Sequence, residues 1–211
     1  MKLSISPEKD YQVFRSIGAS GAWWAQIVGG WDHIDEKSGK PVRDRIAELL
    51  YNKAREMAEL KGGESIADLY CGTGTIGLSM AKNVKRLCGI EIVPSAVECA
   101  RENAKNNGIS NAEFICGDAS DKEPILSAFG GVAPDVVVID PPRKGSTREL
   151  VECLADLGVP RIVYVSCGAD TLARDCKWFR ECGYEIGDVH PVDMFPRTGH
   201  VESVVCLTRR L

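Results

Sequence analysis

The sequence lacks the long apolar segments that membrane-spanning and secreted proteins carry. No stretch approaches the ~18–20 consecutive apolar residues that span a bilayer, and residues 1–7 do not contain the apolar core of a signal peptide. The 211 residues are 44% hydrophobic and 27% charged, which are ordinary values for a globular protein. A chain of this length is sufficient for one well-packed core. We therefore expect a cytoplasmic protein built around a single main domain.

Cysteine pairs with metal-binding or redox spacing are also absent. The nine cysteines include no Cys-x-x-Cys pair, which argues against a zinc ribbon or a thioredoxin-like redox site. His200 has no second histidine or cysteine at a metal-ligand spacing. An odd number of thiols, spread through predicted strands and helices, suits a reducing compartment. We expect no metal site.

A strong positive charge is missing as well. The formal net charge is −4, which argues against a freestanding nucleic-acid binder, because the affinity of such proteins rests on lysines and arginines that neutralise phosphates. Several cations nevertheless lie in the second half of the chain, among them Arg143, Lys144 and Arg174. A catalytic domain with a local basic patch is compatible with this distribution.

From about residue 64 onward, short apolar runs alternate with helical segments. Runs such as 86–91 and 161–166 predict buried strands, and helices of about ten residues or more separate most of them. This pattern predicts an α/β fold with a mostly parallel sheet covered on both faces. The last two predicted strands, 184–189 and 202–208, have no helix between them, so one of the two is predicted to be antiparallel.

The first 63 residues have a different character. Apolar residues recur at helical spacing between Pro41 and Leu60, and Gly62 and Gly63 provide a stop, which predicts a helix. Residues 15–40 are rich in glycine and tryptophan but show no clear period, and we assign them no regular structure. We therefore predict an N-terminal extension over residues 1–63 and a main domain over residues 64–211.

A glycine-rich turn follows the first strand of the main domain. Gly72, Gly74 and Gly77 have the spacing G-x-G-x-x-G, and Glu91 lies 19 residues beyond Gly72 at the end of the next strand. Glycines permit a tight turn and close approach of a ligand, and a carboxylate at this position accepts hydrogen bonds from ribose hydroxyls. The pattern predicts an adenosine-containing cofactor, which could be a dinucleotide or S-adenosylmethionine. Asp118 could accept from the adenine amino group, although a lone acid there is commonly a helix N-cap.

Three further residues lie where predicted strands end or begin. Asp140 follows the fourth strand and opens a loop that Pro141 and Pro142 make rigid. Cys167 follows the strand 161–166, and ligands bind beyond the carboxyl ends of such strands. A thiolate can add to an electron-poor ring carbon and leave again. A carboxylate such as Glu202 can then remove a proton that the addition has made acidic. The structural alternatives are a buried core thiol and an exposed strand carboxylate.

Together these segments resemble the RNA uracil-5-methyltransferases that use S-adenosylmethionine. The resemblance covers essentially residues 64–211, and the segment from Ile5 to Gln12 also resembles one that precedes the lead-in helix in that family. The matching stretches of the main domain are Asp68–Gly77, Gly89–Pro94, Asp140–Gly145, Ile162–Cys167 and Asp193–Glu202.

The resemblance implies a class I methyltransferase (Rossmann-like) fold, with a seven-stranded, mostly parallel sheet and helices on both faces. It implies methyl transfer from S-adenosylmethionine to carbon 5 of a uridine in structured ribosomal or transfer RNA. Cys167 would add to carbon 6 of the uracil, and Glu202 would remove the proton from carbon 5. The cofactor-contacting positions that the resemblance implies are Gln12, Tyr70, Thr75, Glu91, Asp118 and Asp140.

The resemblance covers the catalytic domain only. Members of the family usually carry a TRAM domain and a central insertion, and many hold an iron–sulfur cluster, but no matching segments are found here. RNA binding would then require a separate RNA-binding domain or a partner chain. Three alternatives remain open: a methyltransferase of other regiochemistry in which Cys167 is inert, a cofactor-binding remnant without turnover, and an NAD-dependent oxidoreductase that uses the glycine turn.

Overall fold

The computed structural model describes residues 3–5, 12–14, 34–35, 40–194 and 201–210. The strands in these ranges are β1 (Leu3–Ile5), β2 (Gln12–Phe14), β3 (Ile34–Asp35), β4 (Lys40–Pro41), β5 (Ser65–Leu69), β6 (Arg86–Glu91), β7 (Ala112–Cys116), β8 (Val136–Ile139), β9 (Arg161–Ser166), β10 (Tyr184–Val192) and β11 (Glu202–Arg209). The helices are α1 (Val42–Ala58), α2 (Thr75–Met80), α3 (Pro94–Asn106), α4 (Lys122–Ala128), α5 (Arg148–Leu157) and α6 (Ala169–Glu181).

Seven of these strands form one sheet in the order β10-β11-β9-β8-β5-β6-β7. Strands β5 to β9 pair in parallel, whereas β11 runs antiparallel to both β9 and β10. The predicted seven-stranded, mostly parallel sheet is confirmed, and β11 is the antiparallel strand of the last two.

The helices cover both faces of the sheet, as predicted. Buried residues of α1, α2 and α3 pack in one apolar cluster, and buried residues of α4, α5 and α6 pack in the other. The central strand β8 is buried at every position, which explains its uninterrupted apolar sequence. Local signals set the helix ends, since Pro94 begins α3 and the Thr147 hydroxyl accepts a hydrogen bond from Leu150 N at the start of α5.

The lead-in helix α1 belongs to the packed structure. Its apolar residues Ala47, Leu50, Ala54 and Ala58 are buried, and the helix contacts β9 and β11. The helix begins and ends within the segment predicted from spacing. The division of the chain at residue 63 remains a prediction.

Two sequence expectations need correction. Ile34 and Asp35 pair with Pro41 and Lys40 in a short antiparallel ladder, within a region to which no regular structure was assigned. A two-residue ladder is too short to produce a recognisable alternation. Strand β10 extends to Val192 rather than residue 189, because a register irregularity after Ile186 lets the strand continue along β11. The other residues between 15 and 40 lie outside the described residues.

The topology creates one crevice at the carboxyl edge of the parallel strands. Strand β5 lies between β6 and β8, so the chain reverses its direction of travel across the sheet there, and ligands bind at such points. The antiparallel β11 brings its amino end to the same edge. No helix within the described ranges is long and apolar enough to span a bilayer.

Candidate active site

A cavity of about 600 Å³ opens at this edge, within the range of small-molecule sites. The structure brings together around it every predicted site residue whose side chain is described: Tyr70, Thr75, Glu91, Asp118, Asp140, Cys167 and Glu202. Gln12 lies in β2 opposite Ile5, but its side chain, like the whole of His200, lies outside the described residues.

The three glycines of the turn are required for different reasons. Gly72 and Gly74 have φ values of 55° and 79°, in the left-handed region that side chains disfavour. Gly77 lies against Asp68, and a Cβ added there would lie 2.7 Å from the Asp68 Oδ2 atom. The Gly77 N–H donates to that oxygen at 2.9 Å. The first two glycines therefore shape the turn, and the third lets α2 approach β5.

Glu91 is held against the turn, as its spacing from Gly72 predicts. Its Oε2 atom accepts a hydrogen bond from Gly72 N at 3.0 Å, and its Oε1 atom accepts from Val93 N, also at 3.0 Å. A carboxylate has about four lone-pair sites, so this one can still accept hydrogen bonds from the hydroxyls of a ribose. The adjacent Ile92 lines the cavity and is 62% exposed, which provides an apolar surface for a flat ring.

Asp118 does not cap a helix, because the N-cap of α4 is Asp121. Its Oδ1 atom accepts from both the backbone N and the hydroxyl of Ser120 at 2.8 Å. These bonds, led by the one from the backbone, lower the pKa of Asp118 and keep it an ionised acceptor. Tyr70 hydrogen-bonds the Ser120 side chain, and its φ of 60° begins the turn.

Cys167 and Glu202 line the same cavity at neighbouring positions of the sheet edge. Ser166 at the end of β9 pairs with Ser203 of β11, so the next residues outward are Cys167 and Glu202. Glu202 is only 8% exposed, and burial raises its pKa to about 7, with Asp140 adding to the rise and Arg143 opposing it. A carboxyl with this pKa can exchange protons near neutral pH.

The thiol of Cys167 experiences the same charges. Burial raises its pKa first, the carboxylates of Glu202 and Asp140 raise it further, and Arg143 lowers it. Asp140 and Arg143 both come from the loop after β8, so this loop supplies two of the three charged side chains that shift the pKa of the thiol. The arrangement places a thiol, two carboxylates and the Arg143 cation in the lining of one cavity, a set of groups that could support nucleophilic and acid–base chemistry.

Asp68 faces the cavity, and the sequence reasoning did not select it as a site residue. Burial is the main cause that raises its pKa to about 7. The hydrogen bond from the Gly77 N–H lowers the pKa, and the charges of Asp140 and Glu91 raise it further. Its Oδ1 atom is buried and makes no hydrogen bond within the described part of the chain. A polar atom of this kind in a cavity wall suits a ligand amine. The available signal was an aspartate inside an otherwise apolar strand.

Tyr51 of α1 is the second residue that sequence reasoning missed. Its phenol hydrogen-bonds the side chain of Thr75, and it lies close enough to Asp140 and Glu202 for their charges to raise its pKa. Burial is the largest cause, and the pKa reaches about 12. Tyr51 lies one helical turn from Ala47, on the buried face of α1, so a phenol within an apolar stripe was the signal.

The residues present fit an adenosine group that carries an amino-acid tail. Glu91 offers acceptors for ribose hydroxyls, Asp118 offers an acceptor for an adenine amino group, and the orphaned Asp68 Oδ1 offers one for an ammonium group. No group of three or more histidine, cysteine or acidic residues in the described ranges is arranged to hold a metal ion.

Comparison with known proteins gives a consistent family. The model of the tRNA (uracil-5-)-methyltransferase family matches residues 40–210. An uncharacterized RNA methyltransferase of Clostridium acetobutylicum is 48% identical over 177 residues, which cover 84% of this chain and 38% of the relative. The chain therefore spans well under half of the length of that relative.

Solved structures agree with the observed topology. The tRNA (uracil-54, C5)-methyltransferase of Pyrococcus abyssi, in complex with S-adenosyl-L-homocysteine, is 36% identical with a TM-score of 0.65, over 77% of this chain and 38% of that one. An rRNA methylase of Streptococcus thermophilus is 12% identical with a TM-score of 0.61, over 79% of this chain and 98% of that one, and shows the fold alone. The predicted class I methyltransferase fold is confirmed.

Proposed function

Because the chain belongs to the tRNA (uracil-5-)-methyltransferase family, we propose that it transfers a methyl group from S-adenosylmethionine to carbon 5 of a uridine in structured RNA, through a covalent adduct of Cys167. The observation that best supports this is that Cys167 and Glu202, brought to neighbouring positions by the β9–β11 register, line the same cavity as the glycine turn. The Pyrococcus abyssi relative acts on uracil in transfer RNA, and we extend the same class of substrate, in transfer or ribosomal RNA, to this chain.

The cofactor would lie along the glycine turn. Glu91 would hold the ribose, Asp118 the adenine amino group, and Asp68 the ammonium group of the amino-acid tail. Tyr70, Thr75 and Asp140 line the same cavity and, with Gln12, complete the proposed set of contacts. When bound, S-adenosylmethionine supplies an electrophilic methyl group on a sulfonium.

The chemistry of the chain's own residues begins with Cys167. Its thiol proton passes to solvent, and its sulfur bonds to carbon 6 of the uracil while the electron pair of the carbon 5–carbon 6 double bond shifts towards carbon 5 and oxygen 4. Carbon 5 uses that electron pair to bond the methyl carbon, and the pair of the broken methyl–sulfur bond stays on the sulfur, which leaves as the thioether S-adenosylhomocysteine. Glu202 removes the remaining proton from carbon 5, the double bond re-forms, and the Cys167 thiolate leaves. Arg143 would stabilise the Cys167 thiolate before it adds to carbon 6 and again when it leaves.

Mass spectrometry of RNA nucleosides after reaction tests the proposal. The chain incubated with structured RNA and S-adenosylmethionine should produce 5-methyluridine, and Cys167→Ala should abolish it. Cys153→Ala is a matched control, because Cys153 is a half-buried thiol of α5 outside the cavity. Methylation at another position, or undiminished transfer by Cys167→Ala, would contradict the covalent mechanism.

We also propose that residues 64–211 form the catalytic domain behind an extension of residues 1–63, and that the protein acts in the cytoplasm. A separate RNA-binding domain or partner chain would supply much of the affinity for RNA, since the net charge of −4 offers little general attraction to phosphates. Addition of an RNA-binding partner should then lower the KM for RNA and leave cofactor affinity unchanged.

A further inference from the structure

Two adjacent residues of α6, Arg174 and Asp175, fasten the loop that follows β8. The Asp175 Oδ2 atom accepts a hydrogen bond from the backbone N of Ser146 at 2.7 Å. The Arg174 Nη2 atom donates to the backbone carbonyls of Lys144 and Ser146 at 2.9 and 3.1 Å. The loop is therefore held through both its donors and its acceptors.

Asp175 is fully buried, so its charge must be compensated inside the protein. The phenol of Tyr164, on β9, donates to its Oδ2 atom at 2.6 Å, and Arg174 Nε donates to its Oδ1 atom at 2.8 Å. Together with the Ser146 N–H, these donors come from β9, α6 and the loop. One carboxylate thus joins α6 to β9 and to the loop, and the cavity is lined by Cys167, which follows β9, and by residues of that loop.

The contact between loop and helix is close enough to require glycine. Gly145 has a φ of 78°, and a Cβ added there would lie 2.6 Å from both Arg174 Nη2 and Asp175 Oδ2. Any larger residue would need a strained backbone and would push the loop away from α6. The close fit restricts the loop to a narrow range of positions.

This loop carries the charges that act on the thiol. Asp140 and Arg143 lie on it, and the backbone carbonyl of Arg143 is 3.7 Å from the position of a Cβ on Gly168, the residue after Cys167. The charged groups that face the thiol are Glu202 from β11 together with Asp140 and Arg143 from the loop. The position of the loop therefore determines how strongly the Arg143 cation opposes the two carboxylates.

We propose that Arg174 and Asp175 are positioning residues of the methyl-transfer site, which hold the loop of residues 140–147 against α6 so that Arg143 faces the Cys167 thiol. The inference rests on the proposed function in giving Cys167 the role of nucleophile. The placement of Arg143, however, can be measured in the protein without RNA or cofactor.

The experiment is the pH dependence of Cys167 alkylation by iodoacetamide, followed on the Cys167 peptide by mass spectrometry. Arg143→Gln removes the cation and should raise the midpoint by about one pH unit. Arg174→Lys keeps the charge but loses the planar guanidinium, which binds Asp175 through Nε and the two loop carbonyls through Nη2, and should raise the midpoint by about half a unit. In the double variant Arg143→Gln/Arg174→Lys, the midpoint should rise no further than in Arg143→Gln alone, because Arg174 acts through Arg143.

Tyr184→Phe is the matched control. Its phenol donates to the carbonyls of Leu154 and Val159 at 3.2 and 2.8 Å, away from the cavity, so its loss should leave the midpoint unchanged. If Arg174→Lys does not fold, Tyr164→Phe removes one donor to Asp175 and should produce a smaller rise in the same direction.

An unchanged alkylation midpoint in folded Arg174→Lys or Tyr164→Phe would overturn the proposal. An equal rise with and without Arg143 would do the same, because the effect would then bypass that cation. Failure of the proposed function has a different signature, in which the native chain produces no 5-methyluridine while the alkylation midpoints shift as described.

Discussion

Ser166 on β9 and Ser203 on β11 are cross-strand partners in an antiparallel pair. Their register carries Cys167 and Glu202 to neighbouring positions, and the carboxylate raises the pKa of the thiol. The backbone pairing of β9 and β11 thus positions Cys167 and Glu202 at the same end of the strand pair. Rigid placement of this kind would favour the proposed reaction, in which the two groups act on adjacent ring carbons.

We predict that methyl transfer slows as pH falls below about 7, the value to which burial raises the pKa of Glu202, because a base must be deprotonated to act. Glu202→Gln should reduce the rate about 10²–10⁴-fold and lose this inflection. The adduct should also accumulate, visible as a protein–RNA band on a denaturing gel. Glu185→Gln, an exposed change on β10, is the control. An inflection near 7 that persists in Glu202→Gln would assign it to another group.

Asp68 should make stability depend on pH. Its folded pKa of about 7 lies above the ordinary aspartate value of 3.8, so the folded state binds the proton more tightly. The resulting stabilisation is complete below the unfolded pKa and is lost as pH rises through about 7. Asp68→Asn mimics the protonated carboxyl at every pH. Its free energy of unfolding, relative to that of the native chain, should therefore rise by on the order of 2–4 kcal/mol from pH 4 to pH 8. Urea unfolding at both pH values measures this; a constant difference would argue against a raised pKa.

Gly77→Ala should impair both stability and cofactor binding. The new methyl group would lie 2.7 Å from Asp68 Oδ2 and 2.9 Å from Leu87 Cδ1, so the start of α2 must shift. Overpacking of this kind costs about 1–3 kcal/mol, and thermal unfolding with and without S-adenosylhomocysteine should show a lower Tm and a smaller ligand-induced rise. Gly63→Ala is a suitable control, since nothing lies within 4 Å of its Cβ position. Similar behaviour of the two variants would refute the packing argument.

Tyr51→Phe should weaken cofactor binding about fivefold, which corresponds to about 1 kcal/mol for one lost hydrogen bond. The phenol hydrogen-bonds Thr75, a proposed cofactor contact, and its loss leaves that side chain less well oriented. Isothermal titration with S-adenosylhomocysteine measures the change. Combining Tyr51→Phe with Thr75→Val should give less than the sum of the single effects. Strict additivity would show that the two side chains act independently.

Features set by neighbouring residues were accessible from the sequence. The turn at Gly72 and Gly74 needs left-handed backbone, and Glu91 ends the adjacent parallel strand, so the spacing alone predicted that they meet. Continuous apolar runs in the sequence predicted the buried strands. The sequence did not predict the ladder of β3 and β4, because a two-residue ladder is too short to show a hydrophobic pattern. It did not predict the extension of β10 either, because this edge strand is largely exposed.

The sequence by itself determined the order of strands and helices, the glycine turn and the identities of the reactive side chains, because these depend on residues close together along the chain. Only the tertiary structure decided that Tyr51 reaches Thr75, that Asp68 Oδ1 is buried with no hydrogen-bond partner among the described residues, and that Asp175 holds a distant loop. The tertiary structure likewise decided the shifts in the pKa values of Glu202 and Cys167. Burial and the distance between charges are properties of the packed molecule, and residues far apart in sequence set both.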